Sequence, residues 1–221
     1  MDFAALGLTL RLASLTTLCL LVVATPLAAW IAAGSSVARR IVQAAVALPL
    51  VLPPTVLGFY LLVGLGPTTA LGRTLITLIG HPLAFTFSGL LIGSMIYSLP
   101  FAVQPLVVAF SSIDRPTVDV ARVLGASPWT VFRRITLPLS RMSFVTAAVL
   151  TFAHTLGEFG VVLMVGGDIP GVTRTLSISI FDDVQELRYT DANLIAAALV
   201  AISFVALMVV YGRGRWRSEL A

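Results

Sequence analysis

The sequence predicts an all-α, polytopic membrane protein with five transmembrane helices, and three observations carry that prediction. The chain of 221 residues is 58% hydrophobic and only 11% charged, whereas a soluble domain carries about 25% charged residues. Its mean hydropathy is +1.01. The apolar runs are long and continuous, which favours helices over the short alternating segments of a membrane barrel.

Five segments are long enough to cross a hydrocarbon core about 30 Å thick. They cover residues 8–33, 41–65, 84–110, 140–165 and 193–211. The first meets only Arg11 and has no basic region ahead of it, so it is expected to be a span and not a cleavable signal. Cys19, the lone cysteine, lies in that segment and is read as a small packing residue, since one thiol builds neither a disulfide framework nor a metal cluster. The second and third segments contain Pro49, Pro53 and Pro54, and Pro100 and Pro105. Proline removes a backbone donor and kinks a helix, and such breaks persist in a membrane only where protein or water satisfies the freed carbonyls. These two segments are therefore expected to face the protein interior. No segment is large enough to form a separate soluble domain, and no inverted repeat is visible, so residues 1–221 read as a single transmembrane domain.

Arginine placement sets the orientation. All fourteen basic residues are arginine, and the net charge is +4. Arg39 and Arg40 follow the first span. Arg115, Arg122, Arg133, Arg134 and Arg141 run up to the start of the fourth, and Arg213, Arg215 and Arg217 end the chain. Arg11, Arg73, Arg174 and Arg188 fall on the other side, with Asp168, Asp182, Asp183, Glu186 and Asp191 in the outer loop. The positive-inside bias predicts a periplasmic N-terminus and a cytoplasmic C-terminus. Topology thus explains the basic charge, and nucleic acid is not an expected partner.

One polar island interrupts the chain. Residues 119–138 read DVARVLGASPWTVFRRITLP, inside a predicted cytoplasmic loop 114–138. Asp114 is placed to cap a short helix beginning at Arg115-Pro116. Gly125 permits a left-handed turn after Leu124, Ser127 caps a second helix opening on Pro128, and Leu137-Pro138 is expected to stop that helix. One reading is an amphipathic loop on the lipid headgroups, with Arg133 and Arg134 as anchors. The other is a docking surface for a second protein.

The spacing favours the second reading through a resemblance. An acidic-Val-Ala triplet, three residues, Gly125, nine residues and Ile135-Thr136-Leu137-Pro138 resemble the cytoplasmic signature E-A-A, x3, G, x9, I-x-L-P of bacterial ABC-importer membrane subunits. Asp119 stands for the glutamate and Val120 for the first alanine, which shortens the carboxylate's reach by one methylene. Residues 48–63 (LPLVLPPTVLGFYLLV), the Tyr97-Ser98-Leu99-Pro100 kink, LGEFG at 156–160 and DIPGVTRT at 168–175 follow in order. Together they resemble the molybdate ABC-transporter permease family over nearly the whole chain, and sulfate and tungstate permeases share much of the pattern.

The resemblance implies an importer type I permease fold and a homodimer in the bacterial inner membrane. It also implies cytoplasmic ATPase subunits and a periplasmic oxyanion-binding protein as partners. Asp119, Ala121, Arg122, Leu124, Gly125, Ala126, Ser127, Pro128 and Trp129 become the ATPase-coupling residues. The chain lacks a G-x-x-x-x-G-K-[ST] phosphate loop, so it is expected to be a transporter subunit and not an enzyme, binding no cofactor, with ATP and Mg held by the partner ATPase.

Passage residues are read from chemistry. Hydroxyls and broken backbone escort an oxyanion without holding it tightly, which selects Pro53, Pro54, Thr55, Gly58, Ser94, Ser98 and Pro100. The bland alternative is that small and hydroxylated residues simply join helices. Glu158 is the lone acid within a predicted span, and His154 lies four residues earlier. They are read as an intramembrane polar pair, because ionisable groups in lipid are costly and are usually satisfied internally. A stand-alone proton-coupled carrier using that pair is the rival from another class. In the outer loop, Gly167 to Gly171 signals a turn, a helix is expected over 176–187, and Arg174 and Arg188 are candidates to contact an incoming anion or an acidic partner.

Overall fold

The computed structural model describes residues 2–214. Arg215 and Arg217, counted above among the cytoplasmic charges, lie outside the described residues. Helix α1 (Phe3–Ala32) begins five residues before the predicted span, because the Asp2 carboxylate accepts from the Ala4 and Ala5 amides at 2.9 and 3.1 Å. It is 30 residues long, which is about 45 Å at 1.5 Å per residue. The proline-rich second segment is broken as its residues predict. Helix α2 (Val37–Ala47) passes through a 3₁₀ turn (Leu48–Leu50) into α3 (Pro54–Leu65), and the two arms differ in direction by 112°. A short helix α4 (Ala70–Ile79), not foreseen from the sequence, is capped by Thr69 and ends on Gly80 at φ +87°.

Helix α5 (Phe87–Ser111) keeps both Pro100 and Pro105 inside one continuous element. It is the most buried of the three unbroken spans, which agrees with the inward placement read from its prolines. Ala102, Val103 and Leu106 of α5 pack with Leu20, Ala24 and Ala28 of α1 and with Ala147. Lipid is as apolar as leucine, so close van der Waals fit of small residues, and not water exclusion, holds such helices together.

The polar island forms α6 (Arg115–Val123) and α7 (Pro128–Val131), followed by a π-helical turn (Phe132–Thr136) and α8 (Leu137–Leu139). Here the structure corrects the expectation that Leu137-Pro138 ends the helix. The wider π turn precedes Pro138 and absorbs its missing donor, and the chain stays helical to Leu139. The direction then changes by 71° into α9 (Arg141–Leu156).

A second correction falls on the fourth segment, expected to be continuous over 140–165. It is interrupted at residues 157–159, and a separate α10 (Gly160–Gly166) follows. Helix α11 (Leu176–Gln185) matches the outer helix expected at 176–187, and α12 (Tyr189–Gly214) is the last span. Among the described residues three helices are long and apolar enough to cross alone, and two bent pairs bring the number to five.

Contacts sort the chain into two ends. At one, the Thr9 hydroxyl of α1 accepts from the Leu176 amide at 2.9 Å, and Asp2 shares a pocket with Arg174, Asp182 and Asp191. At the other, residues 32–35 at the end of α1 and Ser111 at the end of α5 border Asp119, Arg122 and Pro128. This division matches the one drawn from arginine placement. The α3–α10 pair is unusually close: a Cβ on Gly160 would lie 2.7 Å from Pro54 Cβ, and one on Gly58 2.8 Å from Met164 Cβ.

Candidate functional site

The polar island folds locally as its residues dictate. Asp114 occupies the N-cap position with extended backbone, although its carboxylate makes no capping bond. At the other end of α6 the Gly125 amide donates to Arg122 carbonyl at 2.9 Å, and the Ala126 amide to Ala121 carbonyl at 3.0 Å. With Gly125 at φ +85°, this pair of bonds is a Schellman stop, which favours glycine because it has no Cβ to clash. Ser127 then caps α7, its Oγ accepting from the Thr130 amide at 3.2 Å.

The resulting corner displays apolar side chains to the outside. Val123 is 87% exposed, Leu124 81%, Trp129 67% and Val120 60%. Asp119, Arg122, Gly125, Ser127 and Pro128 are exposed around them, with Ala121 and Ala126 half-buried. An apolar patch with a polar rim marks an interaction surface. Trp129 stacks on Phe132 with centroids 5.7 Å apart, which fixes its ring against the π turn. The Asp119–Arg122 pair is open, at 4.0 Å with both partners mostly exposed, and adds little stability. Sequence reasoning did not select Val123. Its signal was available as an apolar residue three after Val120 on an otherwise polar helix. Behind the corner a cleft of 910 Å³ separates it from the ends of α1 and α5, between Ser35, Phe110 and Phe132.

Within the bundle, Ser98 turns inward. Its Oγ lies 2.9 Å from His154 Nδ1 and 3.0 Å from Thr155 Oγ1, and the His154 ring sits between Phe101 and Tyr97 at 4.1 and 4.7 Å. The expected His154–Glu158 pair is therefore corrected: His154 takes Ser98 as its partner. Helix α9 ends at Leu156, so Glu158 no longer lies one turn above His154 on a shared face. Glu158 is 3% exposed, and neither carboxyl oxygen has a hydrogen-bond partner among the described residues. The buried hydroxyls of Ser94 and Thr151 stand likewise.

The other passage candidates separate into two groups. Pro53 and Thr55 are exposed at the start of α3 and Pro54 is half-buried there, whereas Gly58 is buried against α10, Ser98 is buried against α9 and Ser94 is buried on α5. Pro100 is buried within α5 yet lines the wall of an open groove. In the outer loop, Arg174 is bonded to Asp168 (Nη2–Oδ2 2.6 Å) and lies 3.7 Å from Asp182. Arg188 pairs with Asp183 and Glu186 at 2.6 and 2.8 Å. Both arginines are thus engaged by acids of their own loop. The Arg174 guanidinium holds the Asp168 carboxyl below its ordinary range, while burial, followed by the nearby Asp168, pushes Asp182 up.

Residues 24–214 match the family described as "Binding-protein-dependent transport system inner membrane component". The chain is 51% identical over 220 residues to the "Molybdenum transport system permease protein ModB" of Azotobacter vinelandii, covering 100% of this chain and 97% of that one. It is 34% identical over 208 residues to the "Putative molybdenum transport system permease protein YvgM" of Bacillus subtilis, with 94% and 92% covered. A crystal structure of a bacterial ABC transporter that imports the acidic polysaccharide alginate superposes with a TM-score of 0.77 at 21% identity, covering 98% of this chain and 79% of that one. At that identity the likeness concerns the fold.

Proposed function

The chain belongs to the family of binding-protein-dependent transport system inner membrane components, and on that premise we propose that it passes molybdate across the bacterial inner membrane as the permease of an ATP-driven importer. The observation that carries the coupling is the exposed apolar corner formed by Val120, Val123, Leu124 and Trp129. It lies at the arginine-rich end, where a cytoplasmic ATPase subunit docks. ATP and Mg belong to that subunit. A periplasmic binding protein delivers the anion at the opposite end.

The corner is wired to the membrane. From Pro128 the helix runs through the π turn to Leu139, turns at Ser140 and enters α9, and α9 is joined to α5 by the Ser98–His154 and Ser98–Thr155 bonds. A rigid displacement of Trp129 and its neighbours therefore reaches α5 without crossing a flexible loop. Two copies of the chain form the passage between them, since the described residues of one copy hold three unbroken and two bent spans. The exposed break at Pro53 and Thr55 and the groove walled by Pro100 face this passage, while Ser94, Ser98, Gly58 and the Glu158 region serve as joints between helices.

The test is uptake of labelled molybdate into proteoliposomes that contain this chain, its ATPase and the loaded binding protein. Uptake requiring ATP, and lost when Leu124 and Trp129 are both replaced by Asp, is the expected result. Undiminished ATP-driven uptake by that double variant would overturn the docking assignment.

A further inference from the structure

The groove beside Pro100 has a lining that sequence reading did not select. It has a volume of 430 Å³ and lies where three elements meet: Leu50 from the 3₁₀ turn of the broken second segment, Gln104 and Pro105 from α5, and Ser143 and Thr146 from α9. Gln104 is exposed. It sits seven residues before the end of α5 at Ser111, roughly 10 Å from the arginine-rich end. Its amide makes no hydrogen bond among the described residues. A primary amide left unpaired against hydrocarbon costs several kcal/mol, so this face of α5 meets water or a polar ligand and not lipid.

Resting on the permease reading above, we propose that Gln104, with Ser143, forms this chain's half of a low-affinity site for a tetrahedral oxyanion in the cytoplasmic half of the passage. The Gln104 amide brings two N–H donors and Ser143 one O–H donor. The Thr146 hydroxyl is already donated to the Met142 carbonyl at 3.0 Å and contributes shape only. A second copy doubles the donors to about six. No charged side chain lines the groove, so a dianion is escorted and not trapped, as rapid release requires. Pro105 lacks the N–H that would bond Phe101 carbonyl, and Phe101 lines the same wall. Ser94 and Ser98 cannot do this work, because both are fully buried.

Two measurements on the complete importer test the site. Gln104→Glu places negative charge beside the dianion and should cut uptake about tenfold or more, equivalent to about 1.4 kcal/mol. Gln104→Leu should cut it severalfold, and in both variants ATP hydrolysis stimulated by the loaded binding protein should stay within about twofold of wild type. In a Cys19→Ser background, Gln104→Cys should react with a membrane-impermeant thiol reagent from the cytoplasmic side, faster without nucleotide than in the vanadate-trapped state. Uptake at the wild-type rate by Gln104→Glu, or a Gln104→Cys thiol that never reacts, overturns the site. So does joint loss of uptake, ATPase stimulation and dimer in both substitutions, which marks Gln104 as a joint between copies. Absence of uptake by the wild-type importer would instead overturn the permease reading on which the site rests.

Discussion

Replacing Gly125 by alanine, asparagine and valine separates the shape of the coupling corner from its surface. Gly125 sits at φ +85°, and a Cβ built there meets nothing within 4 Å. The penalty for a side chain is therefore conformational and not a clash within the chain. A left-handed L-residue costs roughly 1–2 kcal/mol, so alanine at about 1 kcal/mol lowers the equilibrium constant for the Schellman turn about fivefold relative to glycine. Valine is β-branched and worse in this region; at about 2 kcal/mol it lowers that constant about thirtyfold. Asparagine tolerates the left-handed region and should retain most of it. Reconstituted importers carrying each variant are assayed for uptake per ATP hydrolysed, with membrane insertion checked by detergent extraction. The expected order is glycine, asparagine, alanine, valine, from most to least coupled. If asparagine and valine are equally impaired, side-chain bulk at the docking face and not the turn is what matters. If valine couples like glycine, the turn has no part in coupling.

Other predictions concern the joints and the outer loop. Ser98→Ala removes both bonds to α9 and should destabilise the detergent-solubilised protein by about 1–2 kcal/mol, read as a lower melting temperature, with the apparent KM for uptake unchanged. Gly160→Val forces side-chain atoms onto Pro54 and should cost about 1–3 kcal/mol through overpacking, visible in the same melting assay. Asp168→Asn breaks the pair with Arg174 and should cost about 1 kcal/mol, since both partners are nearly a third exposed. The folded Asp168 carboxyl titrates below its ordinary 3.8, chiefly through its hydrogen bond with Arg174. Its contribution is therefore complete above that value and disappears as pH falls through the folded one. The melting gap between wild type and Asp168→Asn should be constant from pH 7 to about 5 and close below about pH 3.8. Asp182, shifted the opposite way, makes the gap and not the absolute melting point the quantity to follow.

Much of the fold was legible because lipid simplifies the code. Long apolar runs marked the spans, and arginine bias grouped the same loops that the structure gathers at one end. The stop at Gly125 and the cap at Ser127 were legible because each is a short-range backbone requirement met by one residue. What escaped depends on neighbours distant in sequence. Pro138 reads as a stop, and only the preceding π turn reveals that the helix absorbs it. His154 and Glu158 share a face only if α9 continues, and the break after Leu156 is not announced by Gly157 alone. Ser94 and Ser98 look suited to a passage until both prove fully buried, while the exposure of Gln104 is a property of the packed bundle. Val123 lies outside the positions fixed by the motif, on the apolar face between them.

The account stands most directly on the energy source for uptake. Labelled molybdate is presented to proteoliposomes holding either this chain alone or this chain with its ATPase and loaded binding protein, with ATP or a proton gradient supplied in turn. Accumulation is expected only in the complete assembly with ATP, and none driven by the gradient. Accumulation by the chain alone under a proton gradient, abolished by Glu158→Gln, would contradict it and establish a carrier.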